Sequence, residues 1–372
     1  MPATALSPLL MGRVSLIVGR RDEPTDGVRD YCRELARACA CLGAQVDVVE
    51  VPWTSQGWGP ALISLWQRLR TNRPQAVVVQ VTHLAWSRRG FSVGMVLPIL
   101  VARSACVRVG AMIHDPAGFG GGRLVDRLRQ GVQHASMRVL TRFADPLFVS
   151  VEPSLVPWLV EYRKKALRLV VGSNVGESPN GVRQERQGSP LKVAVFGITQ
   201  GLHGAREREA IVEVARRAAA ALGRIRVDAF GRGTGPEAGR WPDAFGVNVE
   251  THGLVSVDKV ASLLSEADLL LHVRGPVSSR RGTVAAALAH ALPVVGYRGA
   301  ETGPPVTEAG VVLVEPGDLD AAASTLVRLR DDPGFALRLR ERSAVAWRNY
   351  FSWRAIGRAF LEGLAWVPRG QV

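Results

Sequence analysis

The feature that most constrains this chain is an alternation. Short apolar runs recur at "VSLIVG" (14–19), "VDVVEV" (46–51), "AVVVQVT" (76–82), "VRVGAMIH" (107–114), "PLFVSV" (146–151) and "LRLVVG" (167–172), with helical stretches between them. Continuous apolar runs of this length, separated by helices, predict parallel strands covered on both faces. A second series follows at "LKVAVFG" (191–197), "RIRVDAFG" (224–231), "VNVETHG" (247–253), "DLLLHV" (268–273), "LPVVGY" (292–297) and "GVVLVEP" (310–316). Its helices are predicted near 205–222, 257–266 and 282–291, and the chain from about 318 to the end reads as helical. Between the two series lies "SNVGESPNGVRQERQGSP" (173–190), aperiodic and rich in Gly, Ser and charge, which reads as a linker. At 372 residues the chain exceeds one ordinary core. The prediction is α/β, with two Rossmann-like doubly wound domains facing across a cleft. Ligands of such sheets bind at the C-terminal ends of the strands.

The residues at those ends are therefore the candidates. After the first strand, Gly19 and Gly27 bracket a turn that opens a helix; a site for backbone contacts and a plain turn are equally compatible with them. After the fourth strand comes "MIHDPAGFGGGR", where His114 and Asp115 either meet a ligand hydroxyl or proton, or serve as a packed histidine and a turn cap. In the second series, Gly197 ends a strand and His203 and Arg206 open the next helix. The most telling stretch is "GPVSSRRGTVAAALAHALPVV" (275–295). Ser278, Ser279, Arg280, Arg281, Gly282 and Thr283 place hydroxyls, guanidiniums and a glycine at a helix N-terminus, which carries about half a positive charge. Guanidinium forks suit phosphate oxygens. A diphosphate cradle is the functional reading, and a solvated arginine pair beside an ordinary cap is the plain one.

The net charge of +14 is uneven: residues 1–173 hold 22 Arg/Lys against 12 Asp/Glu, and the rest hold 25 against 21. A basic first half suits an anionic membrane surface or an anionic acceptor. "WGPALISLWQRLRTNR" (58–73) and "RLVDRLRQGVQHASMRVLTRF" (123–143) are both basic and amphipathic. On the second, Leu124, Leu128, Val132, Ala135, Val139 and Phe143 form one stripe; such a helix can lie on an anionic membrane, but a stripe of this spacing is expected on the core side. The loop "THLAWSRRGF" (82–91), with His83, Trp86 and Arg88, is a candidate acceptor contact. No helix-turn-helix, zinc or RNA-binding signature accompanies the charge, so no nucleic-acid partner is expected. No apolar run reaches membrane-spanning length, and the N-terminus lacks the pattern of a secretory signal. A cytoplasmic protein, peripheral at most to the inner face of a membrane, is expected. The four cysteines sit in apolar runs, without zinc or redox spacing, and no metal is expected.

The "ALAHALPVV" passage, the "VVLVEPGDLDAAASTLVRLRDDPGFALRLRERS" tail, the closing "YFSWRAIGRAFLEGL", the early "DGVRDYCRELARACACLGAQVDVVEV" and the "HD" pair together resemble bacterial GT-B glycosyltransferases of the family 4 type. The resemblance spans nearly the whole chain. It implies an N-terminal acceptor-side domain (1–172), the linker (173–190), a nucleotide-sugar domain (191–345) and a C-terminal helix (346–372) that crosses back to brace the first domain. It further implies hexosyl transfer from a UDP- or GDP-linked sugar to a glycan, lipid-linked or small-molecule acceptor, with retention, without metal and without a cofactor. His114 matches the family's histidine near the transferred sugar, and Gly231 and Gly253 fall at strand ends facing the nucleotide. Two departures stand out. The family's pair of glutamates eight positions apart is replaced by Ser278 and Ala286, and its Arg and Lys after the first strand of the second domain by Ile198 and His203. On this reading Arg280 and Arg281 take over the phosphate clamp, with Arg281 also stabilising the leaving phosphate, and Glu301 supplies the missing carboxylate. The competing readings are a non-catalytic sugar-nucleotide binder and a sugar-nucleotide epimerase on the same frame.

Overall fold

The computed structural model describes residues 13–20, 27–105, 107–161, 165–177 and 189–365. The chain forms two compact units, one running to Val170 and resumed from Trp353, the other Val171–Ser352. Most of the predicted linker (178–188) and the final residues from 366 lie outside the described residues.

The first unit holds six parallel strands: β1 (Val14–Gly19), β2 (Val46–Val51), β3 (Ala76–Val81), β4 (Arg108–Ile113), β5 (Leu147–Val149) and β6 (Leu167–Arg168), in the order β2-β1-β3-β4-β5-β6. The order reverses between β1 and β3. Its helices are α1 (Gly27–Cys41), α2 (Trp53–Gln56), α3 (Trp58–Asn72), α4 (Leu97–Ser104), α5 (Leu124–Phe143), α6 (Pro157–Glu161) and, from the chain's far end, α12 (Trp353–Ala365). Strand alternation sorts the two faces. Val77, Val79, Val81, Leu147 and Val149 bury against Leu65 and Leu69 of α3, Ile99 of α4 and Met137 and Leu140 of α5. Phe148 points the other way, where its ring lies 5.4 Å from that of Phe360 on α12. A Cβ at Gly357 would already stand 3.2 Å from Ala38, so α12 packs closely along α1.

The second unit repeats the plan: β7 (Leu191–Phe196), β8 (Ile225–Phe230), β9 (Val247–Gly253), β10 (Leu269–Pro276), β11 (Val294–Tyr297) and β12 (Val311–Val314), in the order β12-β11-β10-β7-β8-β9, all parallel. This order reverses between β7 and β10, the position that leaves a crevice at the carboxyl ends of an open sheet. The helices are α7 (Gly201–Leu222), α8 (Val257–Glu266), α9 (Gly282–Ala289), α10 (Leu319–Asp331) and α11 (Pro333–Ala346), followed by a π-helical turn at Trp347–Phe351. Helix α9 is buried from Val284 to Ala289 on every side, which explains its composition of Ala, Val and Leu. No helix among the described residues is long and apolar enough to cross a membrane.

Three expectations change here. The segment 92–104, unassigned from the sequence, is a 3-10 turn leading into α4. The stripe on α5 faces the core only at its C-terminal end, where Phe143 packs against it: Leu124 is 83% exposed and Leu128 63%, while Gln133, Ser136, Met137, Leu140 and Thr141 are buried. Cys32 and Cys39 are buried as expected of small hydrophobes, but Cys41 is exposed and Cys106 lies outside the described residues.

Candidate functional site

In the second unit two helices start from the carboxyl ends of the neighbouring strands at the switch point. Helix α7 follows β7 and α9 follows β10, the neighbouring strand, and neither has a side-chain cap. Each therefore presents backbone N–H groups that its own turn cannot satisfy. Glu207 holds the approach to α7 in place, accepting from the Thr199 amide at 2.7 Å and from its hydroxyl at 2.7 Å. His203 is exposed on the first turn of α7. Gly197 turns out of β7 with φ 76°, and the Ile198 amide donates to the Arg232 carbonyl at 2.9 Å. Ile198 itself is a core residue, so the position carries no charge into the site.

The cations are arranged differently from the sequence expectation. Arg280 donates through Nε to Glu301 Oε2 at 2.6 Å, so its charge is shared with a carboxylate and it does not stand as half of a free clamp. Arg274 stands at the end of β10. It is exposed, makes no ion pair among the described residues, and its Nη1 lies 3.6 Å from where a Cβ on Gly197 would be. Arg281 is the residue before α9, and its Nη2 stands 3.3 Å from the same construction at Gly275. Beneath them His272 is buried with Nε2 unpartnered. Burial first, and then the charges of Arg281 and Arg274, lower its pKa to about 3. It is neutral under ordinary conditions.

The loop after β11 closes this side. Thr302 donates to the Val277 carbonyl at 2.6 Å and accepts from the Gly299 amide at 2.9 Å. That lock sets Glu301 against Arg280, leaving Glu301 Oε1 buried without a partner. The Ser278 hydroxyl is likewise fully buried and unpartnered. Ser279 is buried, and its carbonyl accepts from the Val171 amide at 3.0 Å, so the end of the run 167–172, just before the predicted linker, joins this loop. Thr283 is half-buried on the first turn of α9. At Gly282 a Cβ would meet only the Gly172 carbonyl oxygen, at 3.7 Å, so the fold itself does not demand a glycine there. Gly231 and Gly253 are left-handed turn residues (φ 92° and 61°) joined by an amide-to-carbonyl bond of 2.7 Å, which accounts for both as turn glycines.

The first unit's strand ends are built otherwise. His114 ends β4, 8% exposed, with Nε2 2.8 Å from Gln80 Oε1 and the Tyr31 ring edge-on at 4.9 Å. Because that oxygen only accepts, Nε2 carries the proton and Nδ1 the lone pair. Burial lowers the His114 pKa to about 4. Asp115 is half-buried, and its carbonyl accepts from His83 Nε2 at 3.1 Å. His83 Nδ1 in turn accepts from Ser92 at 3.0 Å. With both nitrogens engaged and 1% exposure, His83 is a structural cross-link and not an acceptor contact. Trp86 is corrected in the same way: it is 1% exposed, and its indole donates to the Gln80 carbonyl at 2.8 Å. Arg88 is at the surface, donating to the Thr54 carbonyl at 3.1 Å. Gly27 opens α1 with nothing near its Cβ position, and the turn before it lies outside the described residues.

Gln133, absent from the sequence candidates, pins the glycine-rich loop. It is fully buried, accepts from the Phe119 amide at 2.8 Å and donates to the Gly90 carbonyl at 2.7 Å. A grouping the sequence did not suggest lies on β8 and β9, where Asp228, Glu250 and His252 approach one another within metal-ligating range. Arg226 already donates to both Asp228 oxygens, at 2.9 and 2.8 Å, and to Glu250 at 2.8 Å. These bonds and one from His252 outweigh burial and hold the Asp228 pKa below the usual carboxylate range. The grouping is an ion-pair network completed by arginine.

No protein-family model matches this sequence, and no curated protein matches it. Solved structures do. HepE of Anabaena, determined with UDP-glucose, shares 13% identity over 95% of this chain and 99% of its own, with a TM-score of 0.62. The chain has the GT-B fold. Sucrose-phosphate synthase from Thermosynechococcus elongatus (16% identity, 95% and 98% covered, TM-score 0.61) and a glycosyltransferase from Rickettsia africae (12%, 95% and 97%, 0.62) are similar over the same extent. At these identities the likeness is one of architecture.

Proposed function

We propose that this GT-B chain is a glycosyltransferase that takes its sugar from a nucleoside diphosphate donor held in the second unit. The observation that carries the reading is the pairing of two uncapped helix N-termini, α7 and α9, with Arg274 and Arg281 at the β7/β10 switch point. Amides and guanidiniums converging there suit a diphosphate. As the bond from sugar to phosphate breaks, charge grows on the leaving oxygen, and cations fixed in advance lower that barrier without reorganising. Transfer with retention and without metal belongs to this proposal, as do residues 1–172 as the acceptor side and a glycan, lipid-linked or small-molecule acceptor. Glu301, steadied by Arg280, offers Oε1 to a donor hydroxyl, and Ser278 offers its hydroxyl beside it. In the first unit we assign His114 to hydroxyl recognition, since its neutral ring keeps a lone pair on Nδ1. HepE was determined with UDP-glucose, so uridine donors are the first to test.

A specific observation favours a second reading, a non-catalytic sugar-nucleotide binder. Ala286, in the slot of a family glutamate, is fully buried within α9, and Ile198 is core.

The test is calorimetry and thermal shift with UDP, GDP, ADP and TDP and their glucose conjugates, on the wild type and on Arg274→Ala/Arg281→Ala. A ligand at 100 times its Kd stabilises by about 2.7 kcal/mol. Each charge-assisted contact contributes about 1.5–3 kcal/mol, so the double variant is expected to bind at least about a hundredfold more weakly. Absence of binding by every nucleotide overturns the donor site. Binding without hydrolysis or transfer of any sugar selects the second reading.

A further inference from the structure

The outward-facing apolar stripe of α5 calls for an occupant. A surface helix ordinarily turns its apolar side to the core. Here Met137 and Leu140 supply the core contacts of the C-terminal half, Gln133 faces inward to hold the glycine-rich loop beside buried Ser136 and Thr141, and Leu124 and Leu128 of the N-terminal half are left outside. Leu124, Val125 and Leu128 are exposed on its first two turns. The 3-10 turn and α4, which pack against α5, add Val93, Leu97 and Leu100, spaced four and three residues apart and also exposed. The surroundings are cationic: Arg88, Arg89, Arg123 and Arg127 are all exposed. Between Glu50 and Asp115 the sequence contains no acidic residue at all. On α5 the one early carboxylate, Asp126, is bound by Arg129 at 2.8 Å.

We propose that this α4–α5 face docks on an anionic lipid bilayer. Guanidiniums pair with lipid phosphates and the leucines enter the boundary between headgroups and acyl chains, the arrangement of helices that lie in a membrane interface. The charge singles out this occupant. A second copy of the chain would bring arginines against arginines with no carboxylates to answer them. The proposal stands on the first unit alone and does not depend on the sugar-transfer reading.

The test is flotation of the full chain with vesicles of phosphatidylcholine alone and of phosphatidylcholine mixed with phosphatidylglycerol, alongside sedimentation without lipid. The wild type is expected to float only with the anionic vesicles. Leu124→Ser/Leu128→Ser alters exposed side chains, so the fold persists, and retention is expected to fall about tenfold at unchanged charge. Arg123→Gln/Arg127→Gln is expected to weaken it about thirtyfold. Three results overturn the proposal. These are no flotation with anionic vesicles, flotation unchanged by Leu124→Ser/Leu128→Ser (charge attraction alone), or self-association without lipid that the same variant abolishes (a second copy).

Discussion

The two units close the same kind of strand end in opposite ways. After β3 and β4, most polar side chains are spent on the protein itself: His83 bridges Ser92 and the Asp115 carbonyl, Trp86 binds Gln80, and Gln133 ties two loops together, with Gln80 Nε2 left buried and unpartnered. After β7 and β10, two cations, a buried hydroxyl and one carboxylate oxygen converge around uncapped helix ends. Buried polar atoms normally find partners within the fold. A loop that leaves several without one has its remaining hydrogen-bonding capacity directed at something else. On this contrast rests the proposal that a ligand completes the second unit.

Acid exposes the largest difference. His114 and His272 have folded-state pKa values of about 4 and about 3, against an ordinary 6.5. Both are neutral in either state above pH 6.5, where their contribution is fully present. As pH falls towards those folded values, the unfolded chain takes up protons that the folded chain refuses, and stability is lost. The expected loss is about 3 kcal/mol from His114 and somewhat more from His272, followed by urea denaturation across this pH range. His114→Gln and His272→Gln should each flatten the profile. A nucleoside diphosphate sharpens the comparison, because its charge offsets Arg274 and Arg281. It should raise the His272 imidazole titration seen by NMR and leave His114 where it is. The reverse would place the anion in the first unit.

Glycine gives the next test. At Gly19 a Cβ would lie 2.2 Å from the Ala85 carbonyl oxygen, a backbone atom that cannot swing aside. Gly19→Ala is expected to cost about 1–3 kcal/mol or more in denaturant melts. Gly282→Ala meets nothing closer than 3.7 Å, and is expected to be neutral or to stabilise by about 0.4–1 kcal/mol. A large loss at Gly282 would mean that the fold, and not a ligand, needs that glycine.

The sheets were legible because strands buried on both faces read as unbroken apolar runs, and most expected spans agree with the observed ones within two residues at each end. The exceptions are β10, which runs three residues past its expected end to Pro276, and β6, where the run 167–172 pairs only at Leu167–Arg168 before the chain turns to hand the Val171 amide to Ser279. Periodicity announced α5 but could not say which side faces inward, since that depends on the loop Gln133 must hold. The place of Arg274 is illegible in the sequence for a related reason. It lies in the extension of β10 to Pro276, and only folding brings it over Gly197 from the neighbouring strand. Side-chain pairing was the least legible property. "SSRRG" reads as two equivalent arginines, and Glu301, 21 residues on, makes them inequivalent.

The smallest effect is the most discriminating, because it compares two fully buried serine hydroxyls. Ser92 donates to His83 Nδ1, whereas Ser278 has no partner. Ser92→Ala strands a buried ring nitrogen and is expected to cost about 1–3 kcal/mol. Ser278→Ala removes a hydroxyl that the folded protein leaves unsatisfied, so stability without ligand should stay constant or rise slightly. Nucleotide-sugar affinity should fall by roughly tenfold, the worth of about one hydrogen bond. Denaturant midpoints measured with and without ligand separate the two outcomes. Equal losses at both serines in the absence of ligand would mean that Ser278 serves the fold as Ser92 does, and the contrast between the two units would fail at its most specific point.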